Sequence, residues 1–168
     1  MYEKLLSRRS VRKYAAKQIT DAELDKVLEA GLYAPTAKNN QKPVMVAVRD
    51  KETRDLLSKI NAEIMGVETD PFYGAPCVIV VLADPAIPTW IDDGSLVMGN
   101  LLNAAHALNL GSCWINRARE TFDRPEGKEL LKKWGLSESY RGVGNCILGY
   151  AEEEPAPKDR MEGRIIKI

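Results

Sequence analysis

The sequence predicts an α+β fold in which helices surround a mixed β-sheet of four to five strands. Three observations carry that expectation. Two runs, Cys77 to Ala83 and Val143 to Tyr150, are of strand length and apolar at nearly every position, as in strands covered on both faces. Around them, apolar residues recur at helical spacing. Finally, Trp90 to Asn109 is apolar on almost every side after its first turn, so a helix there needs cover all round.

In chain order, Tyr2 to Ser7 reads as a short helix. Thr20-Asp21-Ala22-Glu23 is a capping box, followed at helical spacing by Leu24, Val27, Leu28 and Gly31. That helix should end near Tyr33, because Pro35 disfavours helical geometry before it. Val44 to Val48 is a strand. Asp50 to about Met65 returns to helical spacing through Leu56, Leu57, Ile60 and Ile64. Cys77 to Ala83 is the best strand and should be central. In the apolar helix, Gly94 and Gly99 each cost about 1 kcal/mol relative to Ala, which suggests a close approach, such as a second helix across a two-fold axis. A partner subunit is one way to cover this helix; a central place in a monomer is the other. Ser112 to Ile115 forms a short strand, Pro125 to Trp134 a helix with Gly135 as C-cap, and Val143 to Tyr150 a central strand. Residues 151–168 read as a C-terminal arm: acidic and proline-bearing, ending in Arg164-Ile165-Ile166-Lys167-Ile168, suited to adding a strand elsewhere or else a frayed terminus.

The composition bounds the function. The 168 residues fit one domain, residues 1–168; 45% are apolar and 29% charged, ordinary for a soluble globular protein. Lys+Arg and Asp+Glu both number 24, so the basic excess of a nucleic-acid or membrane-surface binder is missing. Three well-separated cysteines and one histidine cannot supply an ordinary zinc site, and read as reduced thiols in a reducing compartment. The opening MYEKLLSRRS lacks a signal-peptide shape, and the longest apolar run is too short to span a bilayer. A soluble cytoplasmic protein with no metal, nucleic-acid or membrane partner is expected.

Three polar clusters could carry chemistry. Arg8-Arg9-Ser10-Val11-Arg12-Lys13-Tyr14 suits an anion gripped by guanidinium forks, or is a solvated basic turn. Ala34 to Pro43, crowded with amides and small residues, could meet the polar edge of a planar ligand, or is an ordinary connector. Lys158-Asp159-Arg160 alone is unremarkable. Gly-x-Gly-x-x-Gly, Walker and Gly-x-Ser-x-Gly motifs are all missing. His106 reads as a packed core histidine, and Asp92-Asp93 as favourable charges at a helix N-terminus. With no nucleophile–base arrangement in view, a cofactor would have to carry the chemistry.

In this order, the clusters resemble the nitroreductase family of FMN enzymes. Arg8, Arg9, Ser10, Arg12 and Tyr14 match its Arg-Arg-Ser-x-Arg-x-Tyr opening, and Ala34 to Pro43 its Ala-Pro-Thr-Ala-x-Asn-x-Gln-x-Pro stretch. Gly111-Ser112-Cys113-Trp114-Ile115, Ile147-Leu148-Gly149-Tyr150 and the Lys158-x-Arg160 tail complete the pattern, over nearly the whole chain. The resemblance implies a homodimer with two FMN sites built from both subunits. Arg8, Arg9, Ser10 and Arg12 would hold the phosphate, ribityl chain and pyrimidine edge, with Lys158 and Arg160 closing on the phosphate. Pro35, Thr36, Ala37, Asn39 and Gln41 would come from the partner subunit. Trp114, Ile115, Asn116 and Arg117 would lie along the isoalloxazine, a backbone N–H near Asn116 or Arg117 facing N5, with Asn61 a further candidate for the polar edge. The implied activity is ping-pong transfer of electrons from NAD(P)H to a small-molecule acceptor such as a nitroaromatic or quinone. Other flavin reactions (dehalogenation, enone reduction, flavin breakdown), a non-catalytic FMN-binding sensor and an anion-binding module are the alternatives. The chain departs from many relatives at Asn116, where they carry glycine, at Lys42, and in being too short for much of a helical excursion over the site.

Overall fold

Each strand of the sheet turns one row of side chains to each of two helical layers, and this alternation organises the chain. The computed structural model describes residues 2–168. Its elements are α1 (Tyr2–Ser7), α2 (Asp21–Leu32), a 3-10 turn (Ala37–Asn39), β1 (Val44–Val48), α3 (Lys51–Met65), β2 (Cys77–Ala83), α4 (Trp90–Ala107), β3 (Gly111–Ile115), α5 (Ala118–Asp123), α6 (Pro125–Lys133) and β4 (Arg141–Gly149). The expected α+β class holds. The capping box forms, with the Glu23 N–H donating to Thr20 Oγ1 (3.2 Å) and the Thr20 N–H to Glu23 Oε2 (2.8 Å). Asp50 caps α3, and Gly66 ends it at φ 70°. Helix α5 went unread because six residues are too few to display a period, and β4 begins two residues before the expected Val143.

The sheet order is β1-β2-β4-β3, and every neighbouring pair is antiparallel, so the sheet is not mixed as expected. The strands joined through α4, β2 and β3, do run the same way, but β4 inserts between them and separates the parallel pair. The β1–β2 pair is antiparallel because residues 66–76 return the chain along α3. Phe72 and Ala75 are fully buried in this return, and Arg54, near the start of α3, donates to the Ala75 carbonyl (3.0 Å) and to Asp70.

In β2, Val78, Val80 and Leu82 face a core completed by Leu57 of α3, Phe122 of α5 and Leu130 and Leu131 of α6. Cys77, Ile79 and Val81 face the other core, built with Leu24 and Val27 of α2 and Val97, Met98, Leu101, Leu102 and Ala105 of α4. All seven β2 residues are buried, as expected of a central strand. All three cysteines are buried and free.

Helix α4 is covered only in part by its own chain. Within one chain it buries one face, leaving Ile91 and Leu96 40% and 47% exposed. The close approach at Gly94 is to the sheet: a Cβ there would lie 2.6 Å from Val143 Cγ2. A Cβ on Gly99 would meet nothing within 4 Å. His106 is only half-buried, within 2.8 Å of Ser7 Oγ, rather than packed in the core. The tail pairs briefly through Ala151, which bridges to Tyr14, and then runs exposed, with Met161, Ile165 and Ile166 each at least 80% accessible.

Candidate functional site

The basic cluster is anchored to the open edge of β3. The Val11 N–H donates to the Ser112 carbonyl (3.0 Å), the Ala15 N–H to the Tyr150 carbonyl (3.0 Å), and the Tyr14 hydroxyl to the Val11 carbonyl (2.6 Å). Burial, with the neighbouring cysteines, pushes the Tyr14 phenol far above its usual range, so it stays a donor. Gly111 permits the approach: a Cβ there would sit 3.0 Å from Val11 and 3.1 Å from Tyr14 and Ala151.

Arg8, Arg9 and Ser10 are half-buried along this edge, and Arg12 is exposed. Arg9 Nη1 donates to the Leu6 and Arg8 carbonyls (2.8 Å each), yet Arg9 Nε and Arg8 Nη1 are buried with no hydrogen-bond partner. Donors on a cation, withdrawn from water and left unpaired, are costly unless an acceptor meets them. A phosphate, with several charged oxygens, suits such donors. The Arg12 guanidinium lies 5.9 Å from the Tyr73 ring, and its backbone N–H donates to Glu153 of the tail. A cleft of about 640 Å³ opens beside the cluster, lined by Lys4, Ser7, Arg9, His106 and Glu153 among others. Burial, then the charges of Lys4, Arg8 and Arg9, lower the His106 pKa below its ordinary value, so the imidazole adds no cation at neutral pH.

At the far end of β3, Trp114 and Ile115 point to opposite faces, Trp114 toward the α4 core and Ile115 toward the α3 core. The two side chains therefore cannot both line one face of a ligand. Gly144 makes room for the indole, since a Cβ would lie 2.6 Å from Trp114 Nε1, itself buried without a partner. Asn116 is exposed and Arg117 adopts the left-handed φ of 73°. Asn61, fully buried on α3, donates through Nδ2 to the Asn116 carbonyl at 2.7 Å. In a trans peptide the carbonyl and the following N–H point oppositely, so this bond turns the Arg117 N–H away from α3. Asn61 Oδ1 and Asn145 Oδ1 are also buried and unpartnered. The signal for Asn145, unused in the sequence reading, was an amide in the middle of an otherwise apolar strand.

The Pro35–Gln41 stretch precedes β1, at the opposite edge of the sheet. It shares an end with Asn116, since β1 begins where β3 finishes. Three inter-strand spacings separate those edges, roughly 14 Å. One chain thus brings Arg8, Arg9, Ser10, Arg12, Trp114, Ile115, Asn116 and Arg117 to one edge, and Pro35, Thr36, Ala37, Asn39 and Gln41 to the other. Lys158 and Arg160 lie on the exposed tail, without a hydrogen bond or ion pair among the described residues. The loop is tied down by a residue the sequence reading gave a lesser role. Asp93 is 3% exposed, and its Oδ1 accepts from the Ala37 N–H (2.9 Å). Its Oδ2 accepts from Asn40 Nδ2 (2.9 Å) and Thr89 Oγ1 (3.0 Å). Burial opposes ionisation, but these three bonds outweigh it and hold the carboxyl below its ordinary pKa. Among the described residues, no group of three or more His, Cys, Asp or Glu side chains could hold a metal, and no helix is long and apolar enough to cross a membrane.

Known proteins share this chain's sequence pattern and its fold. The sequence pattern of the nitroreductase family matches residues 5–150. A relative from Archaeoglobus fulgidus, whose name includes NAD(P)H nitroreductase, is 32% identical over 156 residues, covering 89% of this chain and 84% of its own. The NADPH-flavin oxidoreductase of Vibrio harveyi is 28% identical over 175 residues, covering 98% and 71%. The crystal structure of a Bacteroides fragilis nitroreductase with bound FMN superposes with a TM-score of 0.89 at 30% identity, covering 99% of this chain and 97% of that one. Matched by the family pattern over residues 5–150 and sharing the fold, the chain belongs to the nitroreductase family.

Proposed function

We propose that this protein is a cytoplasmic FMN-dependent oxidoreductase that takes electrons from NAD(P)H and passes them to nitroaromatic, quinone or related acceptors, alternately, as a homodimer with two flavin sites. The carrying observation is the pair of buried, unpartnered guanidinium nitrogens on Arg8 and Arg9 beside β3. FMN, when bound, supplies a ring that accepts and donates hydride at N5, so no side chain need serve as acid or base.

The chain's residues have binding and orienting roles. Arg8, Arg9 and Ser10 present donors to the phosphate and ribityl chain, and Arg12 places a cation near the pyrimidine edge, where negative charge is stabilised electrostatically. The backbone at Asn116 and Arg117 offers an N–H whose direction Asn61 sets. Residues 1–168 form one unit with residues 151–168 as an arm, on which Lys158 and Arg160 supply further cations for the phosphate. The separation of the two sheet edges supports a site completed by Pro35, Thr36, Ala37, Asn39 and Gln41 of the partner subunit. The exposed Ile91 and Leu96 of α4 and the exposed isoleucines of the tail support association.

The test is the visible spectrum of the purified protein after FMN addition and desalting, then with NADH or NADPH under anaerobic conditions. Retained flavin bands that bleach with reductant, with parallel lines in double-reciprocal plots against an acceptor, are expected. A colourless protein refutes the cofactor assignment, and bound flavin that resists both reductants refutes the enzymatic one. Deleting residues 158–168 should weaken both dimer and flavin binding; an intact yellow dimer refutes the arm's role.

A further inference from the structure

We infer that Asp93 is a positioning residue that holds the Thr36–Gln41 loop in the shape it needs to meet the flavin of the opposite subunit. The inference rests on the function proposed above. It starts from a buried carboxylate that no lysine or arginine reaches among the described residues, and that is kept ionised by hydrogen bonds alone. Two of its three donors, the Ala37 N–H and the Asn40 amide, belong to the loop, and the third is Thr89 just before α4.

The loop has reason to need such a hold. Lys38, Asn39 and Gln41 all adopt left-handed backbone, at φ of 53°, 52° and 51°, which residues with a Cβ rarely do. Such strain persists only where surrounding contacts over-determine the conformation. Those contacts are present: the Gln41 N–H donates to Thr36 Oγ1 (3.0 Å), Gln41 Nε2 to Asn39 Oδ1 (3.0 Å), and the Lys42 N–H to Asn40 Oδ1 (3.1 Å). Asn40 therefore links Asp93 on one side to the Lys42 backbone on the other. The half-buried Asn40 points in, while Asn39 and Gln41 remain exposed, which leaves Asn39 Nδ2 and Gln41 Oε1 available to a ligand. A recognition loop fixed in this way loses little freedom on binding, so removing the hold should appear as lost affinity.

The test is FMN affinity of the dimer, read by quenching of flavin fluorescence, together with the absorption spectrum of the bound flavin and far-UV circular dichroism. Asp93→Asn sets an amide N–H₂ against that of Asn40 and should weaken FMN binding roughly tenfold or more, with helical content retained and the bound-flavin spectrum altered. Adding Asn40→Asp reverses the polarity of the pair, still leaves an acceptor for the Lys42 N–H, and should restore affinity. If wild type fails to bind FMN, the parent reading fails. If wild type binds and Asp93→Asn binds equally well, or Asn40→Asp gives no rescue, the positioning role is overturned. Should Asp93→Asn not fold, Asn40→Asp alone sets a second carboxylate against Asp93 while keeping an acceptor for the Lys42 N–H. Weakened FMN binding there supports the role, and unchanged affinity overturns it.

Discussion

Arg8→Met removes a guanidinium while keeping most of its straight hydrocarbon stem, so it separates the packing of this side chain from its charge. Arg8 Nη1 is buried with no hydrogen-bond partner from its own chain, an arrangement that costs about 1–3 kcal/mol. Lys4 and Arg9 belong to the same positive neighbourhood, since their charges and that of Arg8 all act on His106. Methionine relieves that penalty, so the flavin-free protein should gain about 1 kcal/mol, a rise in melting temperature of roughly 2–4 °C for a chain of this size. With FMN the sign reverses. A hydrogen bond to a charged group contributes about 1.5–3 kcal/mol, so its loss should weaken FMN binding roughly 10- to 100-fold. The assay is thermal unfolding with and without saturating FMN, combined with flavin titration. The decisive outcome is opposite shifts in the two states. If Arg8→Met lowers the melting temperature equally with and without flavin, Arg8 has an internal partner and acts structurally, and the phosphate assignment fails with it.

Three further outcomes are expected. Gly94→Ala should destabilise by up to about 2 kcal/mol, because overpacking against the branched Val143 costs about 1–3 kcal/mol and helix propensity returns about 1. Gly99→Ala, facing open space within the chain, should stabilise the monomer; comparing the two by urea denaturation below the dimer dissociation constant checks both signs, and equal effects would refute the assigned contact. Asn61→Leu leaves the Asn116 carbonyl without its donor and should cost about 1–3 kcal/mol; it should also shift the midpoint potential of bound flavin, and an unchanged potential would show that the Asn116–Arg117 peptide is held by other means. On acidification, burial pushes the Asp70 carboxyl up, but the Ser58 hydroxyl, the Arg54 guanidinium and the Gly74 and Phe72 N–H groups together hold it below its ordinary pKa. Its contribution is therefore complete above the unfolded value and lost as pH falls below about 4. Unfolding curves should show this loss, and it should be smaller in Asp70→Asn; an identical acid slope in both proteins would exclude Asp70 as its source.

Most elements were legible because their signals lie within a few residues. The capping box at Thr20, the alternation-free run Cys77–Ala83 and the proline at the start of α6 each act locally, and each forms as read. The cationic segment Arg8–Arg12 was also visible, but not that two of its nitrogens would be buried and unpaired. Helix α5 escaped because one and a half turns offer too little periodicity. Gly94 was rightly marked as a close approach, yet with the wrong neighbour, because a sequence shows that a side chain is missing without showing what fills the space.

By itself, then, the sequence determined which segments other than α5 become helix or strand and that β2 lies at the centre, and it marked the polar residues proposed to meet a flavin-type ligand. These are short-range properties of propensity, capping and periodicity, together with an ordered set of motifs. Only the tertiary structure decided that β4 separates β2 from β3, so that every neighbouring strand runs antiparallel. It also placed the Arg8 cluster and the Thr36–Gln41 loop at opposite sheet edges, and turned Asp93 from a helix-end charge into the anchor of a loop 56 residues away. The physical reason is common to all three. Strand order and buried polar pairing depend on partners far apart along the chain, and a residue's own type and neighbours do not record who that partner will be.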